Sequence, residues 1–115
     1  MKKKMSSYEN FIIEQLKDPE LAAEYLREHW EYQGDDKLEL LLQALHRIAS
    51  AKGMTEVAKK SGISRRNLYK MFSDKGNPSA KTLLDLMGAL EMTFTVAKIK
   101  LSKKTGSVKK LKSAA

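Results

Sequence analysis

Between Thr55 and Phe72 the chain reads TEVAKKSGISRRNLYKMF, and two small residues four apart, Ala58 and Gly62, interrupt a run of long side chains. Two helices that cross steeply through a tight turn require this arrangement. A small residue lets the first helix bring its backbone close to the second. Glycine then takes the positive φ of the turn without a Cβ penalty. Ile63 falls beneath the turn and Ser64 is placed to cap the second helix. Leu68 and Met71, three apart, point inward beside Phe72. The segment therefore predicts a helix-turn-helix.

With those positions committed to packing, Arg65, Arg66, Tyr69 and Lys70 are left facing outward, with Ser64 and Asn67 at the leading end. Arginine donates two hydrogen bonds to the O6 and N7 atoms of guanine, and asparagine pairs with adenine. Tyr69 and Lys70 reach phosphates or base edges. Thr55 and Lys59 on the first helix are candidate backbone clamps, and Lys75, Ser79 and Lys81 beyond the second are candidate phosphate contacts. The expected partner is duplex DNA.

The rest of the chain reads mostly as helix. Ser6-Ser7-Tyr8-Glu9 has the spacing of a capping box, and Tyr8, Phe11, Ile12 and Leu16 follow as a short apolar stripe. Asp18-Pro19-Glu20 starts a second helix, whose apolar face carries Leu21, Ala22, Tyr25, Leu26, His29 and Trp30 and which Gly34 stops. Asp35 opens a third, with Leu38, Leu41, Leu42, Leu45, Ile48 and Ala49 at helical spacing and Gly53 at its end. Asn77-Pro78-Ser79 makes a turn and a new cap before a last helix built on Leu83, Leu84, Leu86, Met87 and Leu90. The period then changes: Met92, Phe94 and Val96 alternate with Thr93, Thr95 and Ala97. That alternation predicts a β-strand. A lone strand leaves its backbone groups unpaired, so pairing with the same strand of a second copy, in a homodimer, is expected.

Composition narrows the function. Residues 1–49 hold 7 basic and 10 acidic side chains, a net of −3, whereas 50–115 hold 15 and 4, a net of +11. Opposite charge in the two halves predicts two partners, one polyanionic and one basic. The chain has no cysteine, which fits a reducing cytoplasm and excludes thiol nucleophiles. No apolar run approaches the roughly 20 residues that span a bilayer, so no membrane role is expected. His29 and His46 have no carboxylate or thiol cluster around them, and no phosphate loop, metal spacing or catalytic grouping is present. Neither an enzyme nor a cofactor is expected.

The segments LKDPELAAEYL, the leucine-rich helix ending in AKGM, and TEVAKKSGISRRNLYKMFSDKGNPSAKTLLDLMGALEMTFTV make the chain resemble the HigA-type addiction-module antidote proteins, the antitoxins of type II toxin–antitoxin pairs. The resemblance implies a cytoplasmic homodimer that binds its own operator DNA and neutralises a small basic RelE/ParE-like toxin. The toxin-masking residues expected are Tyr8, Phe11, Ile12, Leu16, Glu24, Glu28 and Trp30. The fold class expected is mainly α: a five-helix, lambda-repressor-like helix-turn-helix domain with one C-terminal strand. Four regions follow: a disordered basic N-terminus (1–5), a toxin-binding helical region (6–34), the DNA-binding domain with its strand (35–100), and a disordered basic tail (101–115). A free-standing repressor without a toxin partner is the alternative.

Overall fold

In the computed structural model, residues 6–73 and 75–99 are described, and among them the chain forms six helices: α1 (Ser7–Gln15), α2 (Pro19–Glu31), α3 (Lys37–Lys52), α4 (Met54–Ser61), α5 (Arg65–Met71) and α6 (Ala80–Ala89). The basic N-terminus (1–5) and the whole lysine-rich tail (101–115), both expected to be disordered, lie outside the described residues.

Four of the six helices begin where a short polar side chain satisfies a backbone donor that has no partner within the helix. Ser6 Oγ accepts from the Glu9 N–H (3.0 Å), and Asp18 Oδ1 from the Glu20 N–H (2.9 Å). Ser64 Oγ accepts from the Asn67 N–H and Ser79 Oγ from the Thr82 N–H, both at 3.1 Å. Each cap contributes about 1 kcal/mol. The start of α3 differs from expectation. Its cap residue is Asp36, and no side-chain cap bond forms. The Asp36 carboxylate instead accepts the Tyr32 hydroxyl at 2.7 Å. Only half of the expected capping box at α1 forms as well, because Glu9 extends its carboxylate to Arg47 (3.3 Å).

Helix α3 is the axis of the core. Leu41, Leu42, Ala44, Leu45, Ile48 and Ala49 are all buried along it. Helices α1 and α2 pack on one part of α3 and α4 on another, while α4 also carries α5 and α6. Leu16, Leu26, Val57, Leu68, Met71, Leu86, Met87 and Leu90 complete one continuous cluster. At about 1.5–3 kcal/mol for each fully buried large apolar side chain, this cluster dominates the stability of the fold. The periodic stripes overreach at their edges: Leu38 and Leu84, each at an apolar position of its helix, are 42% and 61% exposed.

A partly buried polar tie flanks this core. The Arg47 guanidinium donates to Tyr25 Oη from Nη1 (2.9 Å) and pairs with Glu9 Oε2 from Nη2 (3.3 Å). It thereby links α3 to both α1 and α2.

Two expectations about the fold are corrected. Among the described residues the helices number six rather than five and the expected strand carrying Met92, Phe94 and Val96 does not form; 92–99 has no regular secondary structure. Helix α6 ends in a Schellman motif: the Met92 N–H bonds to the Met87 carbonyl and the Glu91 N–H to the Gly88 carbonyl, with Glu91 left-handed at φ 60. That turn sends the chain back across α2. Met92 packs against the core, Phe94 stacks on Trp30 with centroids 4.3 Å apart, and Val96 is fully exposed. Inward packing therefore holds for Met92 and Phe94 only, and these two cover a helix instead of joining a sheet.

Candidate nucleic-acid interface

The local geometry of α4 and α5 follows from the residues at their junction. Gly62 adopts φ 78, ψ 8, ends α4, and donates its N–H to the Ala58 carbonyl. A Cβ at this position would meet nothing within 4 Å, so backbone conformation alone demands glycine. Ser61 Oγ accepts the Ile63 N–H (3.1 Å), which locks the second residue of the turn. Ala58 and Ile63 are half-buried against the core, while Leu68 is fully buried and Met71 nearly so. Anchored by these two side chains, the seven-residue α5 holds its remaining residues outward.

Those outward residues are the candidate set. Arg65, Arg66, Asn67, Tyr69 and Lys70 are all exposed on α5, and Ser64 is exposed at its cap. Among them, the Arg65 guanidinium lies over the Tyr69 ring, 5.9 Å from its centroid. Thr55 and Lys59 are exposed on α4. Lys75 is exposed in the segment between α5 and α6, and Ser79 caps α6. The Ser79 hydroxyl is already engaged: it accepts from Thr82 N–H and donates to Thr82 Oγ1 (3.0 Å). Lys81 pairs with Asp85 one turn along α6 at 2.9 Å. Lys81 keeps two further N–H donors for a phosphate, whereas the Ser79 hydroxyl would have to give up its bond to Thr82 Oγ1 before donating to one. Arg65, Arg66 and Lys70 form no ion pair among the described residues.

The segment between α5 and α6 is set by a close approach. A Cβ at Gly76 would fall on the Met71 carbonyl oxygen at the end of α5, far inside contact distance. Gly76 also donates to the Ser73 carbonyl at 2.9 Å. Lys75 is thus carried on backbone folded tightly against the end of α5.

Behind α5 stands His46 of α3, to which the sequence assigned no role. Its ring stacks on Phe72 (4.7 Å, interplanar angle 8°) and meets Tyr69 edge-on (6.1 Å, 86°). Burial pushes its pKa below the ordinary value of 6.5, the nearby Glu9 carboxylate opposes that shift, and Arg47 adds to it. Sequence reasoning also missed the Glu9–Arg47–Tyr25 tie. The available signal was a lone arginine set between the apolar residues Leu45 and Ile48 of α3.

The residues predicted to meet a protein partner divide into two groups. Tyr8 and Phe11 are 67% and 59% exposed on α1. Glu24 and Glu28 are exposed on α2, Glu24 loosely paired with Arg27 at 3.7 Å. Leu16, by contrast, is buried in the core and Ile12 is half-buried against it. Trp30 is half-buried between Phe94 on one side and the Lys37 ammonium, 4.9 Å from its ring. Among the described residues no group of acidic or histidine side chains is arranged to hold a metal, and no helix is long and apolar enough to cross a membrane.

A family model described as "Probable addiction module antidote protein" matches residues 5–98. An uncharacterised protein of Haemophilus influenzae is 41% identical over 92 residues, covering 74% of this chain and 94% of that protein. No solved structure matches the chain. The matched region takes in all six helices and the segment that covers Trp30, and the chain belongs to the family of probable addiction module antidote proteins.

Proposed function

We propose that the protein is a HigA-type antitoxin of a type II toxin–antitoxin module, which neutralises a RelE/ParE-like toxin by direct binding and represses its own operon by binding operator DNA. Family membership supports the antidote role. The observation that carries the DNA-binding half is the outward face of α5, where Arg65, Arg66 and Lys70 stand exposed beside Asn67 and Tyr69 on a helix fixed by Leu68 and Met71. In a homodimer, two such helices would enter successive major grooves about 34 Å apart on a palindromic site. Lysine and arginine contacts to phosphate would release counterions and make binding steeply salt-dependent.

The toxin half of the proposal rests on charge and exposure in region 6–34. Glu20, Glu24, Glu28 and Glu31 lie exposed along α2, and Tyr8 and Phe11 offer aromatic surface on α1. A basic partner complements the first set, and the exposed aromatics fit the anchor residues that dominate protein interfaces. Buried Leu16 serves the fold instead. The setting proposed is the cytoplasm.

Co-expression with the neighbouring gene tests the antitoxin reading. Growth arrest by that gene's product, rescue by this chain, and co-purification of the two would support it. Absence of both rescue and complex, with operator binding retained, would leave a free-standing repressor instead.

A further inference from the structure

We infer that His46 is a positioning residue for DNA reading, acting through Tyr69 to fix the direction of the Arg65 guanidinium. The inference rests on the proposal that α5 reads DNA. Arg65, Tyr69 and Phe72 are spaced i, i+4 and i+7, so they lie along one side of α5 and its C-terminal cap. Three contacts run along that side. His46 stacks nearly parallel on Phe72, centroids 4.7 Å apart, meets Tyr69 edge-on at 6.1 Å, and Tyr69 lies beneath the Arg65 guanidinium at 5.9 Å.

The two ends of this chain of contacts differ in freedom. His46 and Phe72 are half-buried, held by the packing of α3 against the end of α5. Tyr69 is 45% exposed and Arg65 is exposed. An exposed arginine samples many rotamers, and each must be given up when the fork docks on a base edge. A tyrosine ring held edge-on by a half-buried imidazole restricts that sampling before DNA arrives. Order is thus passed outward from the core to a side chain that His46 never touches. The groups facing His46 are Tyr69 and Phe72 of α5 and its cap, Glu9 of α1 and its own neighbour Arg47. Among the described residues neither a hydrogen bond nor an ion pair of its ring is formed, which leaves ring contact as its means of action.

The test is a double-mutant cycle on a DNA fragment from upstream of the chain's own gene, read by fluorescence anisotropy, with melting curves recorded for every variant. His46→Ala is expected to weaken binding about two- to fivefold, the factor that matches an exposed cation–π contact. It is expected to change nothing further in an Arg65→Ala background. His46→Phe, which keeps a flat ring, should restore most of the affinity. Should His46→Ala melt too low to assay, His46→Leu, which keeps apolar bulk without a flat ring, must show the same dependence on Arg65. Equal weakening by either variant in both backgrounds would assign His46 a general structural role and overturn the inference. Loss of affinity in His46→Phe equal to that in His46→Ala would overturn it too. If the unmodified chain fails to bind the fragment, the DNA reading itself falls, and that result is distinct from additive effects on a protein that binds.

Discussion

Replacing Gly62 probes the turn on which the orientation of α5 depends. The residue sits at φ 78, ψ 8, and a Cβ there would meet no atom within 4 Å. Steric collision is therefore absent, and the cost of a side chain is purely conformational. A non-glycine residue in the left-handed region costs about 1–3 kcal/mol, with β-branched residues at the upper end. Loss of glycine's freedom in the unfolded chain returns about 0.4–1 kcal/mol. Gly62→Val should then destabilise the fold by about 2 kcal/mol. Since 1 kcal/mol moves the midpoint of a domain of this size by about 4–8 °C, the melting temperature should fall by about 8–16 °C. Gly62→Asn should cost much less, because asparagine is enriched in left-handed backbone. Thermal unfolding followed by far-ultraviolet circular dichroism, with urea titration as a check on the slope, measures both. A valine variant that melts with the unmodified protein, or an asparagine variant as damaged as the valine one, would refute the reasoning.

Three further outcomes follow from separate parts of the structure. Gly76→Ala should destabilise the fold by about 1–3 kcal/mol, because the added methyl meets the Met71 carbonyl and the backbone must shift; a urea midpoint unchanged from the parent protein would contradict the close approach. Phe94→Ala should shift the emission of Trp30, the single tryptophan, to longer wavelength, because the stacked ring over it is removed; an unaltered spectrum would mean that the segment after α6 does not cover α2. His46 should make stability pH-dependent. Its folded-state pKa lies below the unfolded value, so its contribution is complete above about pH 6.5 and is lost as pH falls through the folded-state pKa. His46→Phe should flatten that part of the stability profile, and an identical profile in the variant would contradict the assignment.

How much of this was legible in the sequence depends on the range of the interaction concerned. Local chemistry read well. Ser6, Asp18, Ser64 and Ser79 were predicted as starts, and each accepts a backbone N–H within three residues. Gly62 and the inward pair Leu68 and Met71 likewise follow from spacing alone. What failed was the identity of distant partners. The carboxylate of Glu9 goes to Arg47, 38 residues away, and no window of a few residues reveals that choice; that of Asp36 goes to Tyr32 only four residues back, a local competitor for the cap that sequence reasoning overlooked. Alternation indicated that Met92 and Phe94 turn inward but failed at the exposed Val96, and period two does not say whether the backbone pairs with a strand or simply crosses a helix. Trp30 decided the matter from more than sixty positions away in sequence, by offering Phe94 a ring to stack on. For the candidate site, exposure of Arg65, Arg66, Asn67, Tyr69 and Lys70 followed from the helical period, whereas the support from His46 needed the packing of α3 behind α5.

Binding of the chain to DNA from upstream of its own gene, measured across a salt series with Arg65→Ala and Arg66→Ala alongside, tests the central claim most directly. If α5 reads the duplex, the unmodified chain binds with affinity that falls steeply as salt rises. At least one of the two variants should then lose about 1–3 kcal/mol of binding free energy at constant salt while melting normally. Full affinity in both folded variants would remove α5 as the DNA-reading element.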